Sequence, residues 1–99
     1  MPRFVFQFGY ETPGQEARNA RLGWDDESSE WVVIDAADEQ SALDWGREIA
    51  ERFVAYIGGS SWRAGDFADW LDPLSKCPWA VGRDAVAVGD LPDFGSWLR

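Results

Sequence analysis

The chain has 99 residues, a length that predicts one domain around one core. A hydrophobic fraction of 45% and an aromatic fraction of 15% exclude intrinsic disorder, in spite of a net charge of −9. With no histidine and a single cysteine, Cys77, the chain itself cannot supply a Ser-His-Asp triad, a Cys-His dyad, histidine-ligated zinc or iron, a zinc ribbon or an internal disulfide.

The first predicted element is a strand over residues 3–10. Phe4, Phe6, Phe8 and Tyr10 alternate with Arg3, Val5, Gln7 and Gly9, which sets an aromatic row on one face. This pattern differs from the charged stretch and apolar run of a signal peptide, and no segment approaches the roughly 20 apolar residues of a membrane span. With one cysteine, the expected compartment is the reducing cytoplasm. Thr12-Pro13-Gly14 breaks the strand. Residues 15–23 read either as a helical turn or two or, from Arg21, as the start of a strand. Asp25-Asp26-Glu27-Ser28-Ser29 reads as a hairpin tip, setting Leu22 and Trp24 opposite Trp31 and Val33.

Trp31-Val32-Val33-Ile34 is β-branched and apolar on both faces, the pattern of a central strand. Asp38 is a suitable N-cap, and Asp38 and Glu39 suit the positive end of a helix dipole. The helix is expected over residues 39–57, with Ala42, Trp45, Gly46, Ile49, Ala50, Phe53 and Ile57 as its apolar stripe. Arg47–Glu51 and Glu48–Arg52 have the spacing of i,i+4 pairs, and Gly58-Gly59 stops the helix. Gly46 inside it predicts close approach to a sheet, since glycine there costs about 1 kcal/mol relative to alanine.

Beyond the helix, 61–65 reads as the start of a strand and 67–71 as either a strand or one helical turn, ended by Asp72-Pro73. Cys77-Pro78 opens an irregular stretch, 85–88 is a final strand closed by Gly89, and Phe94, Trp97 and Leu98 have helical spacing after the Pro92-Asp93 turn. That tail either docks on the core or presents an apolar patch. The expected fold is α+β: an antiparallel sheet of about four strands in the order β-β-α-β-β, with one long helix across a face as a two-layer sandwich.

Between residues 25 and 48 stand nine acids against one base, Arg47, a net of −8, so the rest of the chain is nearly neutral. Such a field disfavours nucleic acid and anionic membrane and favours a basic protein partner. The acids expected to meet it are Asp25, Asp26, Glu27, Glu30, Asp38, Glu39 and Asp44. The alternative is a solvated surface that keeps the protein in solution. The seven tryptophans exceed what so small a core readily encloses, which predicts two or three on a groove, pocket wall or interface.

Other chemistries find little support. The run 25–30 lacks the alternating ligands and central glycine of an EF-hand loop. Gly58-Gly59-Ser60-Ser61 follows a helix instead of preceding one, so it is no phosphate loop. Cys77 has no predictable base beside it and reads as a structural thiol. No metal or cofactor is expected. The leading expectation is a non-enzymatic protein that docks on a basic partner, as inhibitors, immunity proteins and nucleic-acid mimics do. The alternatives are a small-ligand domain with Trp45, Trp62, Trp70 or Trp79 lining a cavity between helix and sheet, and a structural homo-oligomer.

Overall fold

The computed structural model describes residues 2–10, 27–59, 61–65 and 67–97, with the backbone alone at 27 and 28. The segment 15–23, Trp24, and Asp25 and Asp26 of the expected hairpin tip lie outside the described residues, as does Leu98.

The alternating aromatics do form a strand, β1 (Arg3–Tyr10), and it lies at the middle of the sheet. Phe4, Phe6 and Phe8 are buried on one face and Val5 on the other. β3 (Val32–Asp35) runs antiparallel along one edge of β1, with Phe4 opposite Ile34 and Phe6 opposite Val32. β4 (Asp69–Pro73) runs antiparallel along the other, with Phe6 opposite Leu71 and Gln7 opposite Trp70. The short β2 (Glu27–Ser28) pairs with Gly9 and Tyr10, continuing the β3 edge.

Between β2 and β3 the ladder gains a residue. Val32 stands opposite Phe6, and the Ser29 N–H donates to the Phe8 carbonyl at 2.9 Å, so Glu30 and Trp31 together face Gln7. The buried Ser29 hydroxyl accepts from the Phe8 N–H at 3.1 Å and donates to the Glu30 carbonyl at 2.9 Å, supplying bonds that the bulge removes from the ladder. The Gln7 amide adds a third tie, donating to the Ser29 carbonyl at 3.0 Å.

The helix α1 (Glu39–Tyr56) agrees with the predicted span to within a residue at its end. Asp38 caps it, accepting from the Ser41 N–H at 2.7 Å. At the other end the Gly58 N–H donates to the Ala55 carbonyl and the Gly59 N–H to the Val54 carbonyl, a Schellman closure that needs the left-handed φ of +90° at Gly58. Ala42, Gly46, Ile49, Ala50, Phe53 and Val54 are the helix's buried face, packed on the Phe4-Phe6-Phe8 row. A Cβ on Gly46 would stand 2.7 Å from the Phe6 ring, which is the close approach its sequence position implied.

The α+β class holds, with a refinement: the sheet is mixed, because β5 (Ala85–Ala87) pairs parallel with β3. An 18-residue helix spans about 27 Å and carries the chain back along the sheet. The strands that follow therefore start from the end where β3 started, and both run antiparallel to β1. From β4 to β5 the chain crosses the face opposite α1 through two 3-10 turns, Leu74–Lys76 and Pro78–Ala80. Cys77 and Ala80 of this crossover bury themselves on Val5 and Val33, forming a second, smaller core.

Residues 61–65 depart from the expected strand. They make a 3-10 turn, Arg63–Gly65, held by the Glu51 carboxylate, which accepts from the Trp62 N–H at 3.2 Å and the Arg63 N–H at 3.1 Å. Those two donors are thereby committed to a side chain and withheld from a sheet. The ambiguous 67–71 region resolves as strand β4, which runs through Pro73 at the sheet edge. The tail docks: α2 (Phe94–Trp97) buries Phe94 against Phe53 at 5.3 Å between ring centres and sets Trp97 at 5.0 Å from the same ring.

Candidate functional site

The described tryptophans divide between the two sides of the sheet. Trp62 is buried under α1, its indole N–H donating to the Gly9 carbonyl at 2.8 Å. Trp45, half-buried on α1, donates to the Asp90 carbonyl at 2.9 Å. Trp70 and Trp79 lie on the opposite face with Trp31. The four residues of the pocket alternative thus do not line one cavity, because successive strand residues point to opposite faces: Leu71 packs toward α1, and Trp70 beside it points away.

On the helix-free face the bulge delivers Trp31, β4 delivers Trp70 and the crossover delivers Trp79. The Trp31 ring centre lies 5.0 Å from that of Trp70 at an interplanar angle of 76°, and 4.8 Å from that of Trp79 at 62°. These are edge-to-face contacts, the arrangement the ring quadrupoles favour. Trp70 nevertheless keeps 38% of its surface exposed and Trp79 49%. The guanidinium of Arg83 lies over the Trp79 ring, 5.5 Å from its centre.

Acids border this cluster. Glu30, exposed on the bulge, and Asp84 share with Trp31 and Arg83 the wall of an open crevice of about 550 Å³, closed on one side by Ser96 and Trp97 of α2. Asp72 lies two residues along β4 from Trp70, on the same face. Nothing in the sequence alone joins Trp31, Asp72, Arg83 and Asp84 into one site. The alternation Trp70-Leu71-Asp72 carries part of that signal, whereas the meeting of Trp31 with Trp79 depends on the crossover.

The acids singled out in the sequence fall into separate places. Asp25 and Asp26 lie outside the described residues, as does the side chain of Glu27. Glu30 stands just before β3; Asp38, Glu39 and Asp44 follow it, at the N-cap and on the first turns of α1. β3 runs between the two groups. Asp38 is held by its cap: the bond from the Ser41 N–H, with the Ser41 side chain, keeps its carboxyl below the usual aspartate range. Glu39 is exposed in the first turn, and Asp44 accepts from the Gln40 amide at 2.9 Å.

Elsewhere the chain neutralises its own charge. Arg47 pairs with Asp69 at 2.7 Å and not with Glu51, since β4 brings that carboxylate against the helix. The Glu48–Arg52 pair forms as spaced, at 3.1 Å, and Arg63 reaches both Glu48 and Glu51 at 3.4 Å. Arg3 stands 3.8 Å from Asp35. Cys77 is buried beneath the crossover, and burial, with the nearby Asp72 charge, pushes its thiol up from the ordinary value.

Among the described residues no three His, Cys, Asp or Glu side chains converge as a metal site, and no helix is long and apolar enough to cross a membrane. No protein-family model, no curated protein and no solved structure matches the chain.

Proposed function

We propose that this chain is a non-enzymatic binding protein that docks on a basic protein partner through the helix-free face of its sheet. Trp31, Trp70 and Trp79 are the anchors, and Glu30, Asp72 and Asp84 form the charged surround. The observation that carries this reading is the tryptophan cluster itself: three chain segments converge to stack large aromatic rings, and two of those rings stay substantially exposed. Clustered aromatics ringed by polar groups are where binding energy concentrates in protein interfaces. The net charge of −9 selects the sign of the partner. Asp25, Asp26, Glu27, Asp38, Glu39 and Asp44 add to the field that steers a cationic protein inward, without needing to touch it. The single, buried cysteine suits a reducing, cytoplasmic setting.

Affinity capture from the source cell at two salt concentrations, run in parallel with Trp70→Ala and Trp79→Ala, tests the reading. A basic protein retained at low salt by the native chain, and lost with both variants, supports it. Glu30→Lys with Asp84→Lys should slow association with that protein and flatten its salt dependence, leaving dissociation little changed. Capture indifferent to the tryptophan variants would overturn it. So would a stable dimer of the isolated chain that Trp79→Ala converts to monomer, since the face would then belong to a second copy.

A further inference from the structure

Of the described arginines, Arg83 alone is not matched to a carboxylate. Arg3, Arg47, Arg52 and Arg63 each stand within an ion-pair distance, between 2.7 and 3.8 Å, of an acid. Among the described residues Arg83 has no such pair, although Glu30 and Asp84 share the crevice wall with it. Its guanidinium lies on the Trp79 ring instead. A guanidinium is planar and weakly hydrated, so it gains from an indole face what a compact, strongly hydrated ammonium gains less of.

We propose, building on the docking face above, that the Trp79 ring is the seat for an arginine side chain of the partner, and that Arg83 occupies this seat in the free protein. On docking, the partner's guanidinium takes the ring and Arg83 moves off it toward Glu30 and Asp84. The exchange replaces one cation–π contact by another, so the guanidinium contact adds little net energy beyond the packing of the partner on the rest of the Trp79 ring. Affinity comes from packing on Trp31, Trp70 and Trp79 and from the acidic surround, and Arg83 acts as an internal competitor. The seat also discriminates: a partner offering lysine at this point must displace Arg83 for a weaker contact.

The test uses the full chain labelled with nitrogen-15, whose tryptophan indole N–H signals are assigned by single Trp→Phe variants. It is titrated at physiological salt with a capped hexa-arginine peptide and with its hexa-lysine counterpart. The expected result is that hexa-arginine shifts the Trp79 and Trp31 signals saturably and more tightly than hexa-lysine. Arg83→Gln should tighten hexa-arginine by about two- to fivefold, the range of an exposed cation–π contact. Trp79→Leu should abolish the preference for arginine over lysine. Arg52→Gln removes the same charge from α1 and should tighten binding clearly less than Arg83→Gln. Equal effects of the two arginine variants, no gain from Arg83→Gln, or equal binding of the two peptides would each overturn the seat while leaving the docking face standing. If neither peptide moves the signals of Trp31, Trp70 or Trp79, the docking face and the seat fall together.

Discussion

Gly46 lies against Phe6 so closely that a single added carbon would stand 2.7 Å from the Cγ and Cδ1 of its ring and 2.8 Å from the Cε1. That contact fixes how near α1 comes to β1. Gly46→Ala brings two opposed effects: better helix propensity, worth about 1 kcal/mol, and overpacking of a core ring, which costs about 1–3 kcal/mol. Phe6 is fully buried and hemmed by its neighbours, so the second effect wins. The variant is expected to lose up to about 2 kcal/mol in urea unfolding. Unchanged or increased stability would show that the sheet can yield at this point.

Asp38 makes the fold's acid response partly predictable. Its carboxyl is lowered in the folded state by the Ser41 N–H, then by the Ser41 side chain. A depressed folded pKa contributes stability that is complete above the unfolded value, near 3.8, and is lost as pH falls through the folded value. The stability gap between the native chain and Asp38→Ala should therefore be constant at neutral pH and close below about pH 4. Asp38→Asn caps without titrating, so its advantage over Asp38→Ala should persist in acid. Unfolding curves for the three proteins at a series of pH values decide this.

Glu51 is the staple of the 61–65 segment. Burial acts to raise its carboxyl, but the Arg63 N–H, the Ser61 hydroxyl, the Trp62 N–H and the Arg63 charge together outweigh it and leave the group lowered. Glu51→Ala strips the turn of its acceptor while Trp62 remains buried, and should cost about 1–2 kcal/mol. Glu51→Gln keeps one acceptor oxygen and should cost less. The loss should appear locally as faster hydrogen exchange at the Trp62 and Arg63 amides.

Cys77 should be chemically silent in the native protein. Burial and the Asp72 charge both disfavour its thiolate, the reactive form. Labelling by a thiol reagent at mildly alkaline pH is expected to follow the unfolding rate and to become fast in denaturant. Rapid native-state labelling would mean that the crossover opens over Val5 and Val33 without global unfolding.

Local pattern carried much of the fold. The period-2 aromatics of β1, the doubly apolar run of β3, and the Asp38 cap, stripe and Gly58-Gly59 stop of α1 each act over a few residues, so the sequence displays them directly. What it does not display is which distant segments meet. Nothing within 69–73 says that β4 will lie on β1, and nothing within 85–87 says that β5 will run parallel to β3. The 61–65 segment misled because its backbone donors go to a side chain eleven and twelve residues back. The excess of tryptophan points to exposed rings, but Trp62 looks no different in sequence from Trp79, and only the tertiary placement of the 61–65 segment and of the crossover separates the buried indole from the one facing solvent.

The crossover between β4 and β5 gives the tryptophan face a further property. Trp31, Trp70 and Trp79 come from three places in the chain; strand pairing on β1 brings the first two together and the crossover of residues 74–84 adds the third, so the denatured polypeptide has no such surface. Any ligand of this face recognises the native state alone and must raise the melting temperature. At a free concentration a hundredfold above Kd, linkage adds about 2.7 kcal/mol to the native state, a large increment for a small domain. A linear peptide copied from any one of the three segments would not compete.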